Sequence, residues 1–79
     1  MPTMPVTIPS LEVLRVGVPN SRDVTRCQAL LVHAAAQNIT IDGNFGPRTE
    51  EAVKNVQRFF KITVDGIVGP QTWRTLIDA

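Results

Sequence analysis

Residues 39–53 and 62–76 state one pattern twice, and that repetition limits what the chain can fold into. At an offset of 23 residues, Ile39 matches Ile62, Thr40 matches Thr63, Asp42 matches Asp65 and Gly43 matches Gly66. Gly46, Pro47 and Thr49 match Gly69, Pro70 and Thr72, while Ile41/Val64, Phe45/Val68 and Val53/Leu76 keep their apolar character. In each copy a short β-branched stretch runs into Asp-Gly, where the Asp side chain can accept backbone N–H bonds and Gly tolerates positive φ. Gly-Pro follows, with proline suited to the first helical position. Thr two residues later is expected to serve the first-turn donors. Each copy therefore reads as extended entry, tight loop and helix start.

An earlier helix is expected to begin at Asn20 or Ser21, both good caps, with Asp23 favoured in the first turn. Val24, Cys27, Leu30, Leu31, Ala34 and Ala35 fall on one helical face, and Gln37-Asn38 is the expected stop. A second helix is expected from about Pro47 to Phe60, with Ala52, Val53, Val56, Phe59 and Phe60 as its apolar set. A third runs from about Pro70 to Ile77, with Trp73, Leu76 and Ile77 together. The entries at 39–41 and 62–64 are extended but too short for a sheet. The fold class is all-α, a compact three-helix domain built on two similar Asp-Gly-x-x-Gly-Pro loop and helix units.

Pro2, Pro5 and Pro9 block helix formation at the start. Residues 1–13 are read as an arm or linker remnant and 14–79 as the domain, with Leu11, Val13, Leu14 and Val16 available to pack onto it. One cysteine, Cys27, forms no internal disulfide, and Cys27 with His33 supplies too few ligands for a Cys/His metal site. Stability must therefore come from packing of the 43% of residues that are apolar. No apolar run approaches a membrane span of about 20 residues. The start, Met1 to Pro5, lacks the charged head and apolar stretch of a signal peptide, so action outside the cytoplasm would require a larger parent chain, another export route or lysis.

The titratable residues fit no reaction class. Asp23, Glu50 and Glu51 are helix-start charges, Asp42 and Asp65 read as loop braces, and His33 has no nucleophile partner. Asp42-Gly43-Asn44 opens like a calcium loop, but Pro47 stands where glycine is needed and Val53 where a bidentate Glu is needed. No metal or other cofactor is expected. Lys54, Arg58 and Lys61 line a helix flank, yet a net charge of +1 gives little for strong phosphate binding, and no nucleic-acid partner is expected. Trp73 reads as core in preference to a sugar platform. Gln57, on the inner side of the second helix, needs partners, and the backbone of the doubled loops is the expected source.

Three blocks together resemble a known family. They are Val24-x-x-Cys27-Gln28-x-Leu30-Leu31, Ile41-Asp42-Gly43-x-Phe45-Gly46-Pro47-x-Thr49-x-x-Ala52-Val53-x-x-x-Gln57, and Val64-Asp65-Gly66-x-Val68-Gly69-Pro70-x-Thr72-Trp73-x-x-Leu76. The series is similar to the peptidoglycan-binding domain found beside catalytic domains of bacterial and phage cell-wall hydrolases, over about residues 14–77. Cys27 for the usual Leu, Val56 for Phe, Asn20-Ser21 for Gly-Asp, and a missing glycine after the first helix depart from the pattern. The resemblance implies a monomeric, non-catalytic module that holds peptidoglycan at the cell wall, outside the membrane or in the periplasm, and tethers a linked hydrolase such as an amidase or endolysin. Membrane insertion is not expected. An alternative use of the same fold is a protein-interaction module, a phage virion component or an inhibitory pro-domain. Asp42, Gly43, Gly46, Pro47, Gln57, Asp65, Gly66, Gly69 and Pro70 read as scaffold. Ligand contact is expected at exposed Asn44, Phe45 and Arg48, with Lys54 and Arg58 secondary, because amides and guanidinium forks suit amide, hydroxyl and carboxylate groups.

Overall fold

The computed structural model describes residues 12–79, so residues 1–11 of the expected arm lie outside the described residues. Three helices follow in order: α1, Arg22–His33; α2, Pro47–Phe59; and α3, Pro70–Asp78. α1 packs against both α2 and α3. The only β feature among the described residues is an isolated antiparallel bridge, with Leu14 N donating to Val68 O at 3.1 Å and Val68 N to Leu14 O at 2.8 Å.

Ser21 caps α1, its hydroxyl accepting from Val24 N at 3.3 Å. α1 ends earlier than its apolar face suggests. The helix stops at His33, Ala36 takes a left-handed φ of 57°, and Gln37 N donates to Leu31 O at 2.8 Å. Alanine thus fills the position that glycine occupies most cheaply. The early stop leaves Ala34 exposed and Ala35 half-buried, off the continuous face expected for them. α2 ends in a Schellman arrangement around Lys61, at φ 58°, with Ile62 N donating to Gln57 O at 3.0 Å and Lys61 N to Arg58 O at 3.2 Å.

The core comprises Leu14, Val24, Cys27, Leu31, Phe45, Ala52, Val53, Val56, Val68, Trp73 and Leu76. Trp73 is 1% exposed, and its indole N–H donates to Glu12 O at 2.7 Å. Glu12 also donates its backbone N–H to Asp23 Oδ2 at 2.9 Å and accepts from the Ser21 hydroxyl at 3.2 Å. It is bonded to the domain although it lies on the arm side of the expected boundary. Leu14 is buried, whereas Val13 and Val16 are exposed. Burial pushes the Cys27 thiol up to about 12, which keeps it protonated and inert.

Two aromatic residues depart from the expected core. Phe59 is 79% exposed and Phe60 41% exposed, with ring centroids 5.1 Å apart in an edge-to-face pair. Helical spacing assigns them to the apolar set, but they stand at the last turn of α2, beside the small side chains of Ala34–Ala36 that follow the early end of α1. No bulky group there covers the rings, so a groove remains.

Candidate functional site: a trench along the second helix

The two Asp-Gly loops are held by two glutamines in matching ways. Gln57 Oε1 accepts from Asp65 N and Gly66 N, each at 3.0 Å. Its amide nitrogen lies 2.9 Å from Asp65 Oδ1, 3.1 Å from Ile67 O and 3.1 Å from Thr72 Oγ1, so two N–H groups serve three acceptors. Gln28, on α1, binds the first loop through the corresponding atoms. Its Oε1 accepts from Asp42 N at 3.0 Å and Gly43 N at 2.8 Å. Its nitrogen reaches Asp42 Oδ1, Asn44 O and Thr49 Oγ1 at 3.0–3.1 Å. Both glutamines are buried, and among the described residues no buried side-chain N or O lacks a partner.

The loop backbones match as well. Gly43 and Gly66 have φ of 81° and 73°, and a Cβ on Gly66 would meet Glu50 Cγ at 2.8 Å. Gly46 and Gly69 precede α2 and α3 in extended conformation, with Pro47 and Pro70 opening the helices. Neither helix has a side-chain cap. Thr49 and Thr72, expected to serve first-turn donors, instead lie buried against the glutamine nitrogens, because each hydroxyl faces the clamp.

Asp42 accepts from Asn44 N and Asp65 from Ile67 N, both at 2.9 Å. The Asn44 N–H, joined by the Gln28 amide, holds the Asp42 carboxyl below the usual carboxylate range. The Ile67 N–H does the same for Asp65, against a smaller opposing effect of desolvation and with help from Gln57. A carboxylate whose folded pKa lies below its unfolded value, about 3.9, stabilises the fold above that pH. The contribution is lost as pH falls through the lowered value. The urea midpoint is expected to drop below about pH 4. A D42N/D65N double variant should start lower at neutral pH and fall less over the same interval; parallel curves would deny these carboxylates their bracing role.

Around the first loop the surface opens into a trench. A cleft of about 180 Å3 is lined by Thr40, Asp42, Asn44, Pro47 and Arg48, among others. A second depression, about 310 Å3, shares Ile39 and Arg48 with it and extends over Glu51 and Asn55. A third, about 390 Å3, shares Gln37 and Asn55 with the second and ends at Phe59 and Phe60. Shared lining residues place these three depressions side by side along the flank of α2, with the hydrogen bond from Asn55 Nδ2 to Gln37 Oε1 at the boundary of the second and third. Arg48 is exposed and has no carboxylate partner among the described residues, whereas Glu51 Oε2 lies 3.7 Å from Arg58 Nη1.

Asn44 and Arg48 thus come together as exposed neighbours. Phe45 does not join them: expected on the exposed loop, it is 2% exposed and part of the core. The repeat itself carries the reason, since Phe45 occupies the position of Val68, which is fully buried. Lys54 lies away from the cleft, its chain over Gly66 in the second loop. Arg58 reaches the trench only through Asn55, donating to its Oδ1 at 2.9 Å. Sequence reasoning quoted Gln28 only as part of a family block and Gln37 only as part of the helix stop, and gave none of Gln28, Gln37 and Asn55 a clamp or ligand-contact role.

Among the described residues, no group of three or more His, Cys, Asp or Glu is placed to hold a metal ion, and no helix is long and apolar enough to cross a membrane. The arrangement defines a small all-helical domain whose buried polar side chains hold its own loops, leaving an open polar trench. Residues 20–76 match the family described as "Putative peptidoglycan binding domain", and the chain belongs to that family. It is 39% identical over 54 residues to the N-acetylmuramoyl-L-alanine amidase CwlM of Mycobacterium tuberculosis, an alignment covering 68% of this chain and 13% of that protein. It is 47% identical over 49 residues to a spore cortex-lytic enzyme of Halalkalibacterium halodurans, covering 62% of this chain and 15% of the relative. Among solved structures, the SleB N-terminal domain superposes with a TM-score of 0.78 at 31% identity, covering 85% of this chain and 90% of that one. The Burkholderia AP3 phage endolysin gives 0.77 at 38% identity, over 82% of this chain and 24% of the endolysin.

Proposed function

We propose that the chain is a non-catalytic module that binds peptidoglycan and brings a linked or partner hydrolase to the cell wall. The observation that carries this reading is the family match over residues 20–76, which takes in α1, α2 and most of α3. The chain spans only 13% and 15% of the two curated relatives, and their names are those of wall-acting enzymes. That proportion fits a targeting segment beside larger catalytic parts. Action at the wall and a monomeric state belong to the same proposal.

The first cleft is the proposed point of contact. Arg48, without a carboxylate partner among the described residues, offers a planar donor fork to a stem-peptide carboxylate, and Asn44 offers an amide to peptide or acetamido groups. A single charge-assisted contact at an exposed site is worth about tenfold in affinity. Co-sedimentation with purified sacculi tests this. R48A should bind about tenfold more weakly with its unfolding midpoint unchanged, and the isolated chain should release no soluble wall fragments. Equal binding by R48A would remove Arg48 from the site, and fragment release would contradict the non-catalytic reading.

A further inference from the structure

The exposed rings of Phe59 and Phe60 are unexplained by the scaffold, and they stand at the far end of the trench from Arg48. We infer that the trench is a lengthwise seat for a glycan strand, with an acetamido-sugar ring stacked on the exposed face of Phe59 and bordered by the perpendicular ring of Phe60. This rests on the peptidoglycan reading and adds to it which part of the polymer lies where. Four observations support it.

First, the three depressions adjoin in line, and Arg48 to Phe59 spans 11 helical steps, roughly 16 Å at the rise of an α-helix, room for about three linked pyranose rings. Second, its far floor is apolar and aromatic, formed by Ala34–Ala36, Val56 and the two rings, and the apolar face of a pyranose can cover such a floor. Third, the rim is polar, preorganised and nearly neutral. Arg58 donates to Asn55 Oδ1, Asn55 Nδ2 to Gln37 Oε1 at 3.2 Å, and Gln37 Nε2 to Ala35 O at 3.2 Å. Each amide nitrogen keeps a second N–H for hydroxyl or acetamido oxygens, while Glu51 offsets the charge of Arg58. A neutral sugar suits that rim better than an anion does. Fourth, two rings and a few alanine methyls fall far short of the ~800 Å2 per partner that a stable protein interface buries. The patch is sized for a ring, not for a second protein.

The test titrates the 79-residue chain with the β-1,4-linked tetramer of N-acetylglucosamine, followed by NMR, alongside sacculus co-sedimentation. Expected are tetramer-induced shifts at Gln37, Asn55, Phe59 and Phe60. F59S is expected to weaken tetramer binding about fivefold or more, and F59W, which keeps an aromatic face, should restore it. Phe59 is so exposed that F59S should leave the thermal midpoint in place, and that midpoint is measured in parallel. If the wild-type chain and F59S sediment equally with sacculi and the tetramer shifts nothing at these residues, the glycan seat is overturned while peptidoglycan binding stands. If the wild-type chain does not sediment at all, both fall. Concentration-dependent self-association abolished by F59S would also overturn the inference, by assigning the rings to a second copy.

Discussion

Gln57→Leu is expected to cost about 2–4 kcal/mol, because the buried Gly66 N–H of the second loop loses its acceptor at about 1–3 kcal/mol and the part-buried Asp65 N–H loses its own at less. A domain of this length has about 4–12 kcal/mol in total, so the variant should lose a large fraction of its stability. Leucine fills a similar volume, which separates the effect from cavity formation. Equilibrium urea unfolding measures the loss. Gln57→Glu supplies a sharper signature. A carboxylate would still accept from both N–H groups but could not donate to Asp65 Oδ1, and it would set a second negative charge 2.9 Å from that atom's position. Its folded pKa should therefore be raised, so the variant should gain stability relative to wild type as pH falls toward 5. A loss below about 1 kcal/mol for Gln57→Leu would mean that the clamp does not hold the loop.

Trp73→Ala should be comparably severe, about 3–5 kcal/mol, the usual cost of emptying a large aromatic site in a core. Trp73 is 1% exposed and is among the largest fully buried side chains. Its indole N–H also fixes the strand of residues preceding Leu14 through Glu12 O at 2.7 Å. Trp73→Phe separates the two contributions, since it keeps most of the apolar volume and removes the hydrogen bond. It should cost about 1–2 kcal/mol. It should also raise amide exchange at Glu12 and Leu14 more than elsewhere. Thermal unfolding with hydrogen exchange reads both effects. A Trp73→Ala domain as stable as wild type would place the indole outside the core.

The loops were the most legible part of the sequence because their geometry is written in local backbone chemistry. Asp-Gly demands a turn with positive φ, and Gly-Pro demands a helix start, so helices α2 and α3 begin at Pro47 and Pro70 as read. Gln57 was legible for another reason: an amide between Val56 and Phe59 must find partners. Gln28 plays the equivalent part on the first loop but was hidden by spacing. It lies 14 residues before Asp42, whereas Gln57 lies eight before Asp65, so the 23-residue offset that aligns the loops misaligns the glutamines. Extending the comparison backwards with a gap pairs Val24, Cys27 and Gln28 with Val53, Val56 and Gln57, which was the available signal.

The candidate site was less legible because it depends on where neighbouring elements end. Phe45 looked exposed when the loop was read alone, although its register with Val68 pointed inward. Phe59 and Phe60 looked buried because helical periodicity identifies a face and says nothing about whether another element covers it. The end of α1 at His33, and the left-handed turn at Ala36, decide that they are uncovered. The meeting of Gln37 with Asn55, 18 residues apart, likewise follows from packing and not from spacing.

The claim on which the functional account depends is that the flank of α2 carries the wall polymer. The most direct measurement is a chemical-shift titration of the isotope-labelled chain with soluble muropeptides bearing intact stem peptides. The account predicts saturable shifts at Asn44 and Arg48, continuing through Gln37 and Asn55, with little change on the exposed side of α3 at Arg74 and Asp78. Shifts confined to α3, or none at millimolar muropeptide, would contradict it.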